Sequence, residues 1–136
     1  WNKGYIHVYV LDYAADAKAL LVNRVSNFPA DQYLTGDFFE LDQRFDIILE
    51  QTFFCALNPI LRPHYVDQMH RLLNNEGVLF GLLFEMDQLD GPPYGGNIAE
   101  YKDLFEPTFE LKTMQKCLDS IAPRLGKELI IEFIKK

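Results

Sequence analysis

The chain has 136 residues, 49% hydrophobic and 24% charged, which suits one globular domain with a real core and excludes a disordered, collagen-like or low-complexity chain. Its 20 Asp and Glu against 13 Lys and Arg leave a formal charge of −7, which argues against a surface that tracks nucleic-acid phosphates. The longest apolar run, Gly77 to Phe84, is far short of the roughly 18 residues a bilayer span needs, and no basic leader precedes a short apolar core. The expectation is a soluble cytoplasmic protein without membrane or nucleic-acid partners, its two cysteines, Cys55 and Cys117, present as free thiols.

Tyr5 to Leu11 is a near-continuous run of β-branched and aromatic residues closed by Asp12, the pattern of a buried strand ending at an acid. From Ala14 to Val25, the residues Ala17, Leu20, Leu21 and Val25 recur at helical spacing, with Asp12 or a neighbour opening the helix and Asn27-Phe28-Pro29 stopping it. Short and longer strands are predicted at Tyr33 to Thr35 and Phe45 to Glu50, followed by Gly36-Asp37 in the first case and ending at a carboxylate in the second. Pro63 suits the start of a helix whose face holds Tyr65, Val66, Met69, Leu72 and Leu73, with Gly77 as its stop.

Val78 to Phe84 is apolar enough to be covered on both faces and is expected to be the central strand. The segment 85–97, with Gly91, Pro92, Pro93, Gly95 and Gly96, reads as a loop, and Ile98 to Phe105 as a short helix. Phe109 to Leu118 and Glu128 to Ile134 are two closing strands joined by a connection too short for a helix, hence antiparallel. Strand and helix in alternation followed by such a pair define a single α/β domain, a layered sheet with one reversed strand.

In doubly wound sheets, ligands sit beyond the carboxyl ends of strands, where Asp12, Asp37 and Glu50 fall. A carboxylate there offers two oxygens to the two hydroxyls of a ribose, while capping a helix or a turn is the competing role for Asp12 and Asp37. Gly36-Asp37-Phe38-Phe39 combines a turn, an acid and two rings suited to an adenine, with core filling as the alternative for the rings. His64 and His70 lie six apart, on nearly opposite sides of the predicted helix, and His7 has no partner at ligand spacing, so no metal site is expected.

After the third predicted strand comes Glu50-Gln51-Thr52-Phe53-Phe54-Cys55-Ala56-Leu57. With Gly36-Asp37-Phe38-Phe39, Gly91-Pro92-Pro93-Tyr94-Gly95-Gly96 and Ser120-Ile121-Ala122-Pro123-Arg124, it makes four separated motifs. Together they resemble the thiopurine S-methyltransferase family, which includes the methyl halide transferases. The resemblance implies a Rossmann-like class I methyltransferase that uses S-adenosylmethionine and a small-molecule acceptor: a thiol, a thiopurine or a halide.

Carried over by position, it implies Asp12 at the cofactor ribose, Tyr13 near the adenine, and Asp37 and Phe38 framing that ring. It implies Glu50, Gln51 and Thr52 toward the methionine part, and Phe53 and Phe54 close to the sulfonium. Tyr94 would cover the acceptor and Arg124 would orient it.

Family members normally begin with a further strand and a glycine-rich turn, and neither is present here. The resemblance therefore implies a chain that starts at the second strand, with the first strand, between Tyr5 to Leu11 and Phe45 to Glu50, missing. Unpaired strand edges would then favour self-association. Two other readings stay open: an inactive methyltransferase-like chain that serves only as a binding or interaction domain, and a nicotinamide-dependent Rossmann enzyme, which would need the same glycine turn.

Overall fold

Residues 3–12 and 14–136 are described in the computed structural model, and the chain divides into two compact units, Trp1–Asp42 and Gln43–Lys136. Tyr13, assigned to the adenine by resemblance, lies outside the described residues.

In the first unit, β1 (Val10–Asp12) and β2 (Tyr33–Thr35) pair in parallel, Val10 with Tyr33 and Asp12 with Thr35, around the helix α1 (Ala15–Arg24). The expected strand from Tyr5 is mostly absent, and Tyr5 and Ile6 are exposed. The physical reason is the partner: β2 has only three residues, and a strand extends only where a neighbour takes its hydrogen bonds. Ala17, Leu21 and Val25 are half-buried as the periodicity requires, but Leu20 is exposed. Tyr33 and Phe38 are the buried aromatics of this unit.

The second unit is a four-stranded sheet ordered β3 (Phe45–Gln51), β4 (Leu73–Phe84), β6 (Glu128–Lys135) and β5 (Phe109–Lys116), with helices α2 (Arg62–Leu72) and α3 (Ile98–Phe105). β3 and β4 are parallel, and β6 runs antiparallel to both β4 and β5, the reversed strand expected from the terminal pair. β1 and β3 belong to different sheets.

In this unit the boundary between α2 and β4 differs most from expectation. α2 ends at Leu72 and β4 begins at once, Leu73 pairing with Phe45 before a bulge and Val78 with Ile47 after it. Gly77 is not the helix stop; the left-handed residue is Glu76 (φ 60°), inside the bulge that takes up the extra residues.

The core of this unit is aromatic: Phe54, Tyr65, Tyr101, Phe105, Phe109 and Phe133 are all essentially inaccessible. Phe54 meets Tyr65 and Tyr101 edge-on at 4.9 and 5.7 Å, and Phe105 lies 5.0 Å from Phe133. Such pairs add roughly 0.5–1.5 kcal/mol each beyond the area they bury.

Candidate active site at the carboxyl ends of the strands

The second unit carries a cavity of about 360 Å3 lined by Thr52, Cys55, Ala56, Phe84, Pro92, Pro93 and Arg124. Thr52 follows the end of β3 and Phe84 ends β4. The cavity thus opens where a parallel pair presents its carboxyl ends, the place such folds use for ligands.

The turn after β3 is built by Glu50. This carboxylate is 3% exposed; its Oε1 accepts from the amides of Phe53 (2.9 Å) and Phe54 (3.0 Å), and its Oε2 from the Tyr65 hydroxyl (2.6 Å). Burial raises its pKa against the lowering effect of the Tyr65 and backbone hydrogen bonds. Burial, then the Glu50 charge, pushes the Tyr65 phenol well above its ordinary value. Glu50 therefore holds the turn that follows β3.

Between β3 and that turn, Thr52 sits at φ 66°, with its Oγ1 donating to the Gln51 carbonyl at 2.6 Å. A β-branched residue in the left-handed region stores about 1–3 kcal/mol of strain, and such residues persist where the surroundings fix them. Cys55 donates from Sγ to the Thr52 carbonyl at 3.3 Å, and burial followed by the Glu50 charge raises its pKa, which keeps it a neutral thiol.

The loop after β4 is fastened at many points. The Tyr94 amide donates to the Cys55 carbonyl (2.7 Å), the Gly95 amide to the Gln88 carbonyl (2.8 Å), and Met86 and Gly96 exchange backbone bonds at 3.2 Å. A Cβ on Gly95 would lie 1.9 Å from the Met86 carbonyl oxygen, so only glycine fits there. Pro92 and Pro93 line the cavity, whereas the Tyr94 ring packs over Gly91.

Arg124, on a short 3-10 turn between β5 and β6, lies 5.6 Å over the Phe84 ring and 3.4 Å from Glu128.

Of the residues carried over by resemblance, the structure brings Thr52 and Arg124 to the cavity wall. Gln51 is exposed at the end of β3 and Phe53 is half-buried beside Tyr65, with ring centres 6.3 Å apart. Phe54 is 1% exposed and its ring is spent on the core.

In the first unit, Asp12 Oδ1 accepts from the Ala14 amide at 2.7 Å, and Asp37 Oδ1 caps the 3-10 turn Phe38–Glu40 through the Phe39 amide at 2.9 Å. Asp37 thus does the turn capping weighed for it, whereas Asp12 is not the helix cap: α1 has Ala14 as its N-cap, with no side-chain cap bond, and Asp12 holds only the Ala14 amide. Each bond uses only part of a carboxylate's acceptor capacity. Phe38 is buried, its ring meeting Phe39 edge-on at 5.1 Å.

Sequence reasoning passed over Arg62. It is 4% exposed, donates from Nη2 to the Gly95 carbonyl (2.6 Å), and pairs through Nη1 with Glu100. The signal was available: Arg62 stands at i−3, i−4 and i−7 to Tyr65, Val66 and Met69, on the apolar stripe of α2.

Solved structures of similar fold include a TehB-like SAM-dependent methyltransferase from Corynebacterium glutamicum (TM-score 0.66, 16% identity, 93% of this chain and 66% of that one). Another is the N-methyltransferase NodS from Bradyrhizobium japonicum in complex with S-adenosyl-L-homocysteine (TM-score 0.72, 14% identity, 93% and 65%). At these identities the likeness concerns the fold, which is the α/β Rossmann-like fold of methyltransferases.

Residues 12–134 match the family model described as thiopurine S-methyltransferase (TPMT), and the chain belongs to that family. It is 35% identical over 129 residues to a probable thiol methyltransferase 2 of Arabidopsis thaliana, covering 90% of this chain and 57% of that protein. To a thiocyanate methyltransferase 1 of Brassica oleracea it is 32% identical over 125 residues, covering 87% and 55%. The chain thus spans little more than half the length of these relatives.

Proposed function

We propose that this chain serves S-adenosylmethionine-dependent methyl transfer to a small soft nucleophile, a thiol, thiopurine or halide, with the cavity beside Thr52 and Arg124 as the acceptor site. The observation that carries the reading is the meeting of a strained Thr52, a fixed Pro92-Pro93 wall and the Arg124 guanidinium around one cavity at the carboxyl ends of β3 and β4. The thiol and thiocyanate methyltransferases among its relatives favour a small sulfur acceptor.

The side chains fit parts of the cofactor. Asp12 and Asp37 offer carboxylate acceptors at or just beyond the carboxyl ends of β1 and β2, the chemistry that ribose hydroxyls or an adenine amine require. In the other unit, Gln51 and Thr52 are exposed at the end of β3 and would serve the methionine part. The Phe53 ring would attract a sulfonium by roughly 0.5–2 kcal/mol.

When bound, S-adenosylmethionine supplies an electrophilic methyl on sulfur. This chain's part is to hold and orient. Arg124 balances the charge of an anionic acceptor and points it, while Phe84, Pro92 and Pro93 keep water away from it. In-line displacement gains most from such alignment and dryness.

The test is methyl transfer from labelled S-adenosylmethionine to thiols, thiocyanate, thiopurine and iodide by the full-length chain, with cofactor binding measured by calorimetry. Transfer to at least one acceptor, weakened in Arg124→Met for the anionic ones, is expected. Absence of both transfer and cofactor binding would overturn the reading and leave a binding or interaction domain.

A further inference from the structure

We propose that Arg62 is a positioning residue for the acceptor: it fixes the Gly91–Gly96 loop so that Pro92 and Pro93 form a preset wall. This inference rests on reading the cavity as the acceptor site.

Arg62 is not itself a lining residue of the cavity. It opens α2, yet it reaches three other segments. Its Nη2 donates to the Gly95 carbonyl at 2.6 Å, its Nη1 pairs with Glu100 on α3, and its guanidinium lies 4.9 Å over the ring of Phe54, next to the lining residue Cys55. The Tyr101 ring stands 6.0 Å away on the same cation.

A buried arginine is an expensive way to fill an aromatic pocket. An apolar side chain of similar volume is commonly as stable or more so, and here the Nε has no partner among the described residues. What arginine adds, and methionine or leucine cannot, is two directed bonds from one rigid planar group. One holds the loop two residues beyond Pro93; the other ties that group to α3. The Tyr94 amide on the Cys55 carbonyl completes the frame, binding the loop to the turn on which Thr52, Cys55 and Ala56 line the cavity.

The two sides of the cavity therefore share one brace, and its loss is expected to loosen the proline wall while leaving distant residues of the sheet in place. An acceptor held by that wall would lose alignment, which reads as weaker acceptor binding with the cofactor unaffected.

The experiment uses the full-length chain and three variants, Arg62→Met, Arg62→Lys and Glu100→Gln, with thiocyanate as acceptor probe. In Arg62→Met the acceptor KM is expected to rise about tenfold, with kcat and cofactor affinity changing less than about threefold. Hydrogen exchange at the Tyr94 and Gly95 amides should accelerate more than tenfold, while exchange at the β4 and β6 amides stays as in the parent.

Arg62→Lys keeps the charge but cannot make both bonds, so it should rescue only part of the effect. Glu100→Gln leaves the Gly95 bond and frees the other end of the brace, giving an intermediate result; it decides the matter if the Arg62 variants do not fold. Unchanged exchange at Tyr94 and Gly95 in folded variants, or full rescue by lysine, would overturn the proposal. The exchange measurement needs no turnover, so a protein without methyl transfer would refute the acceptor reading and still report whether Arg62 holds the loop.

Discussion

Glu50 illustrates how a residue can stand out in a sequence before its local work is visible. Its position at the end of a buried strand marked it as special, but sequence alone cannot tell a carboxylate facing a ligand from one facing the next turn. The structure turns it inward, onto two amides and the Tyr65 hydroxyl.

Its raised pKa has a definite consequence for stability. A group whose folded pKa lies above its ordinary value, here 4.5, contributes stability that is fully present below that value and is lost as pH rises through the raised one. Stability of the parent relative to Glu50→Gln should therefore fall as pH climbs above 4.5 and level off beyond the folded pKa, in urea titrations across that range. Gln retains an oxygen for the two amides, so the cost at neutral pH should be small. Glu50→Ala strands buried donors and should be less stable than Glu50→Gln by about 2–3 kcal/mol at any pH, since neither replacement titrates. A pH-independent difference between parent and Glu50→Gln would contradict this account.

At the scale of elements, most of the order was legible because punctuation was local. Asn97, whose side chain accepts from the Glu100 amide at 3.0 Å, opens α3 where the glycine and proline loop ends. The α2–β4 boundary was not legible: Leu72 and Leu73 continue the helical stripe, and only the pairing of Leu73 with Phe45 pulls the second leucine into the sheet. The left-handed Thr52 was equally hidden, since positive φ is announced by glycine or asparagine and not by a β-branched residue.

Gly81 shows a demand that the apolar run concealed. It pairs with Glu50 across β3 and β4, and a Cβ there would lie 2.1 Å from the Glu50 carbonyl oxygen and 2.7 Å from its Cβ. Gly81→Ala must push the two strands apart at the residue that holds the turn after β3. The expected cost is about 1–3 kcal/mol, read as a lower melting temperature, with loosened Phe53 and Phe54 amides in hydrogen exchange. A fully parent-like melt would mean that the strands separate without loss.

For the whole molecule, the sequence disclosed an α/β sheet with a reversed strand but not its division into two compact units, which depends on which strands find partners. The four-stranded sheet also carries apolar residues on both faces. Ile48, Leu79, Leu83 and Ile131 turn to the side where Glu50 and the aromatic core lie, while Ile47 and Leu49 alternate with Ile48 and Glu50 and are 61% and 76% exposed. Phe80, in register with Leu49, is 40% exposed on that same second face.

Among the described residues, β3 pairs with β4 alone in its sheet. An apolar face next to a strand with one paired side is a surface that another copy of the chain can cover, because burial of Leu49 and Phe80 and completion of backbone hydrogen bonds favour the same contact. The 136-residue chain is therefore expected to self-associate at micromolar concentration, and sedimentation should show dimers or larger species that dissociate on dilution. Ile47→Lys with Leu49→Lys places charges on that face without touching Glu50 or the cavity, and should shift the chain toward monomer with its melting temperature little changed. A parent chain that stays monomeric up to about 100 μM, well above the micromolar range of ordinary specific contacts, would show that this face does not join copies.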